Sequence, residues 1–140
     1  MRRKIKFRVW DKMLNKMIKY HSILSFDDPT LVFLQYTEIN DSFGTEIYDG
    51  DIIKRVTHNG KHCRYPDNVI SDVIRPVKFG GYDDGEYVSN VGCWLFGDSC
   101  NSMSDLITNS SSDGYYIREY TVIGNIFENI YLLKNNEYTI

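Results

Sequence analysis

Apolar and polar residues alternate strictly along Lys4-Ile5-Lys6-Phe7-Arg8-Val9-Trp10, the period of a strand with one buried face. The alternation sets Ile5, Phe7 and Val9 toward a core and Lys4, Lys6, Arg8 and Trp10 on the opposite face. Asp11 to Asn15 reads as a polar loop, and Lys16 to His21 as the return strand of a hairpin. Ser25 to Thr30 (SFDDPT) is a loop, because Pro29 biases the residue before it away from helix, and Leu31 to Tyr36 is strand-like again. Asp49-Gly50, Asn59-Gly60, Asp84-Gly85 and Asp113-Gly114 supply the positive-φ positions of tight turns, flanked by β-branched or aromatic residues. Between these turns, Asp51 to Thr57 and Tyr115 to Asn125 read as strands. Val73 to Phe79 and Glu86 to Phe96 read as a long hairpin joined by GGYDDG. Gly92 in its second arm signals a bulge or a close backbone approach.

One stretch breaks the strand period. Ser102-Met103-Ser104-Asp105 resembles a capping box and predicts a short helical turn over Leu106 and Ile107, followed by the loop TNSSSDG. Phe127 to Lys134 reads as a final strand or a short helix, and NNEYTI as a fraying end. The expected fold class is therefore mainly β: short antiparallel strands with long loops, at most one or two short helices, and a small barrel as the natural closure. At 140 residues, one domain spanning 1–140 is expected, large enough to bury its own core.

Composition narrows the setting. No apolar run approaches the roughly 18 residues of a membrane span, and Lys6 and Arg8 interrupt any signal core after Arg2 and Arg3. A cytoplasmic, reducing compartment is expected. Cys63, Cys93 and Cys100 are odd in number and form no CxxC pair, which argues against a disulfide framework. Of 16 basic and 19 acidic residues, residues 1–20 hold eight basic side chains and only Asp11 as an acid, leaving 8 basic against 18 acidic in the rest. Such asymmetry suggests a basic contact surface, or an oligomer whose basic end meets an acidic end.

The candidate chemistry starts with QYTEINDSFGTEIYDGDIIK, which holds Glu38, Asp41, Glu46, Asp49 and Asp51. A metal or acid–base site needs such carboxylates to converge. Their spacing does not follow the EF-hand pattern; Asp41-Ser42-Phe43-Gly44 and Asp49-Gly50 read as turns whose Asp side chains bond turn amides. His58 and His62, with Cys63 beside them, would suit zinc on a helix, but Asn59-Gly60 lies between them and argues for a turn, and a fourth ligand would have to come from Cys93 or Cys100. No Ser-His-Asp arrangement or nucleophile elbow is readable. No cofactor is expected. The N-terminal strand is the best functional candidate: Lys4, Lys6 and Arg8 on one face, ending in Trp10, combine phosphate-seeking charge with an aromatic platform suited to single-stranded nucleic acid. Against it stands a solvated edge whose lysines discourage aggregation and whose Trp10 caps the core.

Three stretches together resemble the YopX family of small proteins encoded by bacteriophages and prophages: IKFRVWDKMLNKMI; QYTEINDSFGTEIYDGDIIK, similar to the family pattern QYTGLKDKNGKEIYEGDIV; and EYTVIGNIFEN, similar to an ending of the type VIGNIYENPEL. Glu38 stands where the pattern has Gly, Ile130-Tyr131 where Pro is common, and residues 57–75 and 98–114 look like lengthened loops. The resemblance implies an SH3-like barrel in the cytoplasm of a bacterial host cell, with no catalytic residues to carry over. Three functional expectations follow. The first is a non-enzymatic accessory module binding an unknown macromolecular partner or itself, as a homo-oligomer and away from membranes. The second is a nucleic-acid binder using Lys4, Lys6, Arg8 and Trp10. The third is a metal-dependent enzyme.

Overall fold

Strict alternation becomes strand wherever a neighbouring strand is within reach to pair with it. The computed structural model describes residues 5–19, 27–60, 69–83, 88–97, 102–108 and 116–136. Among them run the strands β1 (Phe7–Asp11), β2 (Lys16–Ile18), β3 (Leu31–Asn40), β4 (Glu46–Tyr48), β5 (Asp51–Asn59), β6 (Val69–Asp83), β7 (Val88–Phe96) and β8 (Tyr116–Asn125). A single α-helix among these residues, α1 (Met103–Thr108), and a 3₁₀ segment, Ile130–Asn136, complete a mainly β fold. The strands form two antiparallel four-stranded sheets, ordered β2-β1-β3-β4 and β7-β6-β5-β8.

Local chemistry accounts for the turns. In the β1–β2 hairpin the Asp11 carboxylate accepts the Met13 and Leu14 N–H groups at 2.9 and 3.0 Å, an Asx turn. Before β3, Asp28 accepts the Thr30 N–H at 2.9 Å. Ser102 caps α1, its hydroxyl accepting the Asp105 N–H at 3.2 Å, the first half of the expected capping box. The GGYDDG segment is not a simple turn: β6 runs on through Gly80-Gly81-Tyr82-Asp83, with Asp83 opposite Val88. Gly80 pairs with Cys93 and Tyr82 with Ser89, so two steps on β6 match four on β7 and the bulge falls at Asn90 to Gly92. Much of the expected loop 57–75 is also strand, because β5 extends to Asn59 and β6 starts at Val69. The stretches 61–68, 84–87 and 109–115, with Asp84-Gly85 and Asp113-Gly114, lie outside the described residues.

The core sits on one face of the second sheet. Ile53, Val77, Phe96 and Tyr120 project from it and meet Ile47 from β4 and Met103 from α1, with Leu106 and Ile107 alongside. Register explains the grouping: Val77 lies opposite Phe96, and β5, β6 and β8 present alternate residues to the same side. On the other face the cross-strand ion pair Lys54–Asp72 (3.6 Å) and the contact of His58 with Glu119 (3.5 Å) meet solvent. The 3₁₀ segment packs on β6 and buries Leu133. No helix among the described residues is long and apolar enough to cross a membrane.

Candidate functional site

The acidic stretch is where chemistry was expected first, and its carboxylates are directed apart. Asp41 is buried; one oxygen accepts the Phe43 and Thr45 N–H groups and the other the Val122 N–H, each at 2.9 Å. Ser42 donates its N–H to the Tyr120 carbonyl and accepts the Tyr120 N–H on its hydroxyl, at 2.9 and 2.8 Å. The turn after β3 thus covers the outer edge of β8, satisfying backbone groups that a sheet edge leaves open. Asp51 is fully buried. It accepts the Tyr48 N–H at 2.8 Å and pairs with the Arg8 guanidinium. Glu46 pairs with Lys6. The Asp49 N–H donates to the Gln35 carbonyl at 2.9 Å, and burial pushes its carboxyl above the usual aspartate range, against the opposing pull of the Gly50 N–H. Among the described residues no three His, Cys, Asp or Glu side chains gather as a metal-ligand group. His58 lies on β5 beside Glu119; His62, Cys63 and Cys100 lie outside the described residues.

The N-terminal strand is arranged differently from its alternation. Ile5 is exposed, while Val9 and Trp10 are both buried. Trp10 stacks on Phe127 with ring centroids 5.4 Å apart and planes at 25°. Lys6 and Arg8 turn toward the protein: the Lys6 ammonium lies over the Tyr36 ring at 5.4 Å and the Arg8 guanidinium over Tyr48 at 4.7 Å. The hydrogen bond that Lys6 donates to Glu46 raises the Lys6 pKa, and burial lowers that of Arg8. Lys4 lies outside the described residues. Of the expected nucleic-acid set, Lys6, Arg8 and Trp10 therefore meet a carboxylate, a carboxylate and an aromatic ring of the same chain.

A concave site lies elsewhere. Tyr36 pairs with Tyr48 and Asn40 with Glu46, so β3 carries two extra residues in a bulge over Thr37 to Ile39. Within it Glu38 adopts φ +65°, a conformation uncommon outside glycine, while Thr37 donates its hydroxyl to the Ile47 carbonyl at 2.7 Å. The bulge forms one wall of a groove of about 420 Å³, with Phe79, Cys93 and Trp94 opposite and Ser104 of α1 at one side. Phe79 is 60% exposed and meets Trp94 edge-on at 4.9 Å. Neither aromatic was singled out in the sequence. The legible signal was their position: each sits two residues from a core position, Val77 and Phe96, on the same sheet face.

The three family-like stretches meet at one junction. Gly50 has φ +80°, and a Cβ there would stand 3.3 Å from Ile126; its carbonyl accepts the Ile126 N–H at 2.9 Å. Asn125 accepts the Phe127 and Glu128 N–H groups at 3.0 and 2.9 Å, turning the chain so that Phe127 reaches Trp10. Gly124 leaves room for Asn129, which a Cβ would meet at 2.5 Å. Tryptophan of the first stretch, glycine of the second and the Asn-Ile-Phe turn of the third are thus parts of one packing unit.

The chain is similar to the crystal structure of protein EF1440 from Enterococcus faecalis, at 24% identity over 94% of this chain and 99% of that one, with a TM-score of 0.49. Among curated proteins none matches. The family model for YopX protein matches residues 19–134, a range that holds the buried Asp41 and Asp51, the Gly50 turn and the Asn125 turn, and so the chain belongs to the YopX family.

Proposed function

We propose that this YopX protein is a phage or prophage accessory protein that acts inside the bacterial host by binding a protein surface, a second copy of itself or a partner, and not by catalysis. The observation that supports this reading is the groove between the β3 bulge, β6, β7 and α1, with the exposed Phe79 and its neighbour Trp94 on one wall. Solvent-facing aromatics beside a concavity are the anchors that protein interfaces use most. The carboxylates that acid–base chemistry would need are instead bonded to backbone N–H groups at Asp41 and to Arg8 at Asp51.

The test is sedimentation velocity over a wide concentration range at low salt. Self-association through the groove predicts a sedimentation coefficient that rises with concentration in the wild type and stays at the monomer value in Phe79→Ser. A wild type that remains monomeric throughout removes the second copy as occupant. Assembly unchanged in Phe79→Ser removes the groove as the surface.

A further inference from the structure

The β1–β2 hairpin ends in an apolar tip. Met13 is 77% exposed and Leu14 67%. Single apolar residues on a surface are ordinary, but these two are consecutive and stand where turns favour Gly, Asn, Asp or Ser. The backbone around them is held in place. The Asp11 carboxylate accepts the Met13 and Leu14 N–H groups, and Asn15 closes the turn at φ +52°, so that Lys16 pairs with Asp11 and opens β2. Two apolar side chains are thus presented on a fixed turn, which lowers the ordering cost of docking them. Lys12 and Lys16 flank them, both exposed, while the acid at the base of the tip, Asp11, is engaged by the turn amides.

The groove is the converse surface. Ile39, Phe79 and Trp94 give it apolar walls, and Glu38 is the sole charged residue among those that line it. An apolar tip between two cations and an apolar concavity beside a carboxylate are complementary in shape and in sign. The charge along the chain divides in the same way, with eight of the 16 basic side chains in residues 1–20. The tip cannot fill the groove of its own chain. Asp11 pairs with Leu31 at the start of β3, the tip runs on beyond that end, and the β3 wall of the groove begins at Thr37. About six residues of extended strand separate Leu31 from Thr37, roughly 20 Å at ~3.4 Å per residue.

We propose that the Met13-Leu14 tip of one copy docks in the groove of the next, against Phe79 and Trp94. The inference rests on the groove as a protein-binding surface and names its occupant. Met13 brings a thioether, which packs favourably on aromatic rings. Tip and groove are different patches, so the contact is heterologous and runs head to tail. Each copy brings one tip and one groove, and assembly continues into a ring or an open chain. A groove meeting a groove would stop at a two-fold dimer.

Sedimentation velocity of the full chain at low salt, with variants run alone and mixed, tests this. Met13→Ser with Leu14→Ser removes the tip, and Phe79→Ser removes the groove wall. Each is expected to weaken self-association at least about tenfold. Lys12→Glu with Lys16→Glu keeps the apolar side chains, reverses the charge and should weaken it as much. An equimolar mixture of the Met13/Leu14 variant with Phe79→Ser regains association, because one supplies an intact groove and the other an intact tip, and it stops at the 1:1 dimer. The proposal is overturned if the wild type stays monomeric, if either tip variant assembles as the wild type does, or if the mixture forms no dimer. Assembly lost in Phe79→Ser but kept in the tip variants removes the tip and leaves the groove as the surface. Assembly kept in Phe79→Ser removes the groove itself, and the docking with it. Should Phe79→Ser fail to fold by circular dichroism, Ser104→Lys, at an exposed helix position beside the groove, takes its place alone and in the mixture.

Discussion

Asp51 and Glu38 stand near opposite ends of one acidic stretch and are treated by the fold in opposite ways. Asp51 is fully buried, one carboxylate oxygen on the Tyr48 N–H and the other on Arg8. Glu38 is exposed, and the unusual feature is its backbone, held at φ +65° in a bulge on the wall of the groove. One acid is a part of the scaffold that a neighbouring element was built around. The other occupies a position whose geometry suits a different residue, beside the surface proposed to bind. The contrast is sharpest in stability. Asp51→Ala leaves the Arg8 charge half-buried without its carboxylate and the Tyr48 N–H without its acceptor. Breaking such a pair from one side costs about 3–5 kcal/mol, which should appear as a large drop in the urea midpoint with the denaturant slope unchanged. A loss below about 1 kcal/mol, the range of an exposed pair, would mean that Asp51 is not the anchor of β1.

Glu38 should behave in the reverse sense. A left-handed conformation costs an L-residue about 1–2 kcal/mol, and glycine removes that strain while losing about 0.5–1 kcal/mol through the greater freedom of its unfolded chain. Glu38→Gly is thus expected to raise stability by about 1 kcal/mol or less, read as a thermal midpoint higher by a few degrees. The family pattern has Gly at this position, and the backbone here keeps the shape glycine would take. A fall in stability would show that the Glu38 side chain contributes more than its backbone conformation costs.

These two acids also mark what could be read from the chain and what could not. Short-range features were legible: the polar loop after Asp11, the Ser102 cap, the bulge near Gly92 and the turns at Asp41 and Asp49 all follow from residues within a few positions of one another. The face of β1 was not. Alternation put Trp10 with the lysines, but the ring that buries it, Phe127, and the carboxylates that meet Lys6 and Arg8 arrive from distant strands; Glu46 and Asp51 are 40 and 43 residues away. Alternation also cannot say that a strand runs through GGYD, where the turn residues of the sequence are absorbed by pairing with a bulged partner. Arg55, Arg75 and Arg118 each fall at the core-facing beat of a strand, but that they lie near one another on adjacent strands is set by the registers of β5, β6 and β8.

Asp49 supplies the smallest and most specific test, because it lies next to Gly50 in the same stretch yet shares neither fate. Its carboxyl is partly buried, and burial holds its pKa above the usual value of roughly 3.9. The folded state then binds the proton more tightly than the unfolded chain, and stability falls as pH rises from the ordinary aspartate pKa through the raised one. At neutral pH the whole penalty is present, reduced by the solvent that still reaches the group. Asp49→Asn keeps an acceptor for the Gly50 N–H and removes the charge. It should be slightly more stable than the wild type at pH 7, with a difference in urea midpoint that shrinks as pH falls through the raised pKa and is gone below about 4, where Asp49 is protonated in both states. Comparing the two proteins at each pH cancels the titration of the groups they share. A variant less stable at pH 7, with the gap closing in acid, would reverse the sign and make Asp49 a stabilising acid like Asp51. The turn at Gly50 would then rest on charge at both of its flanking positions.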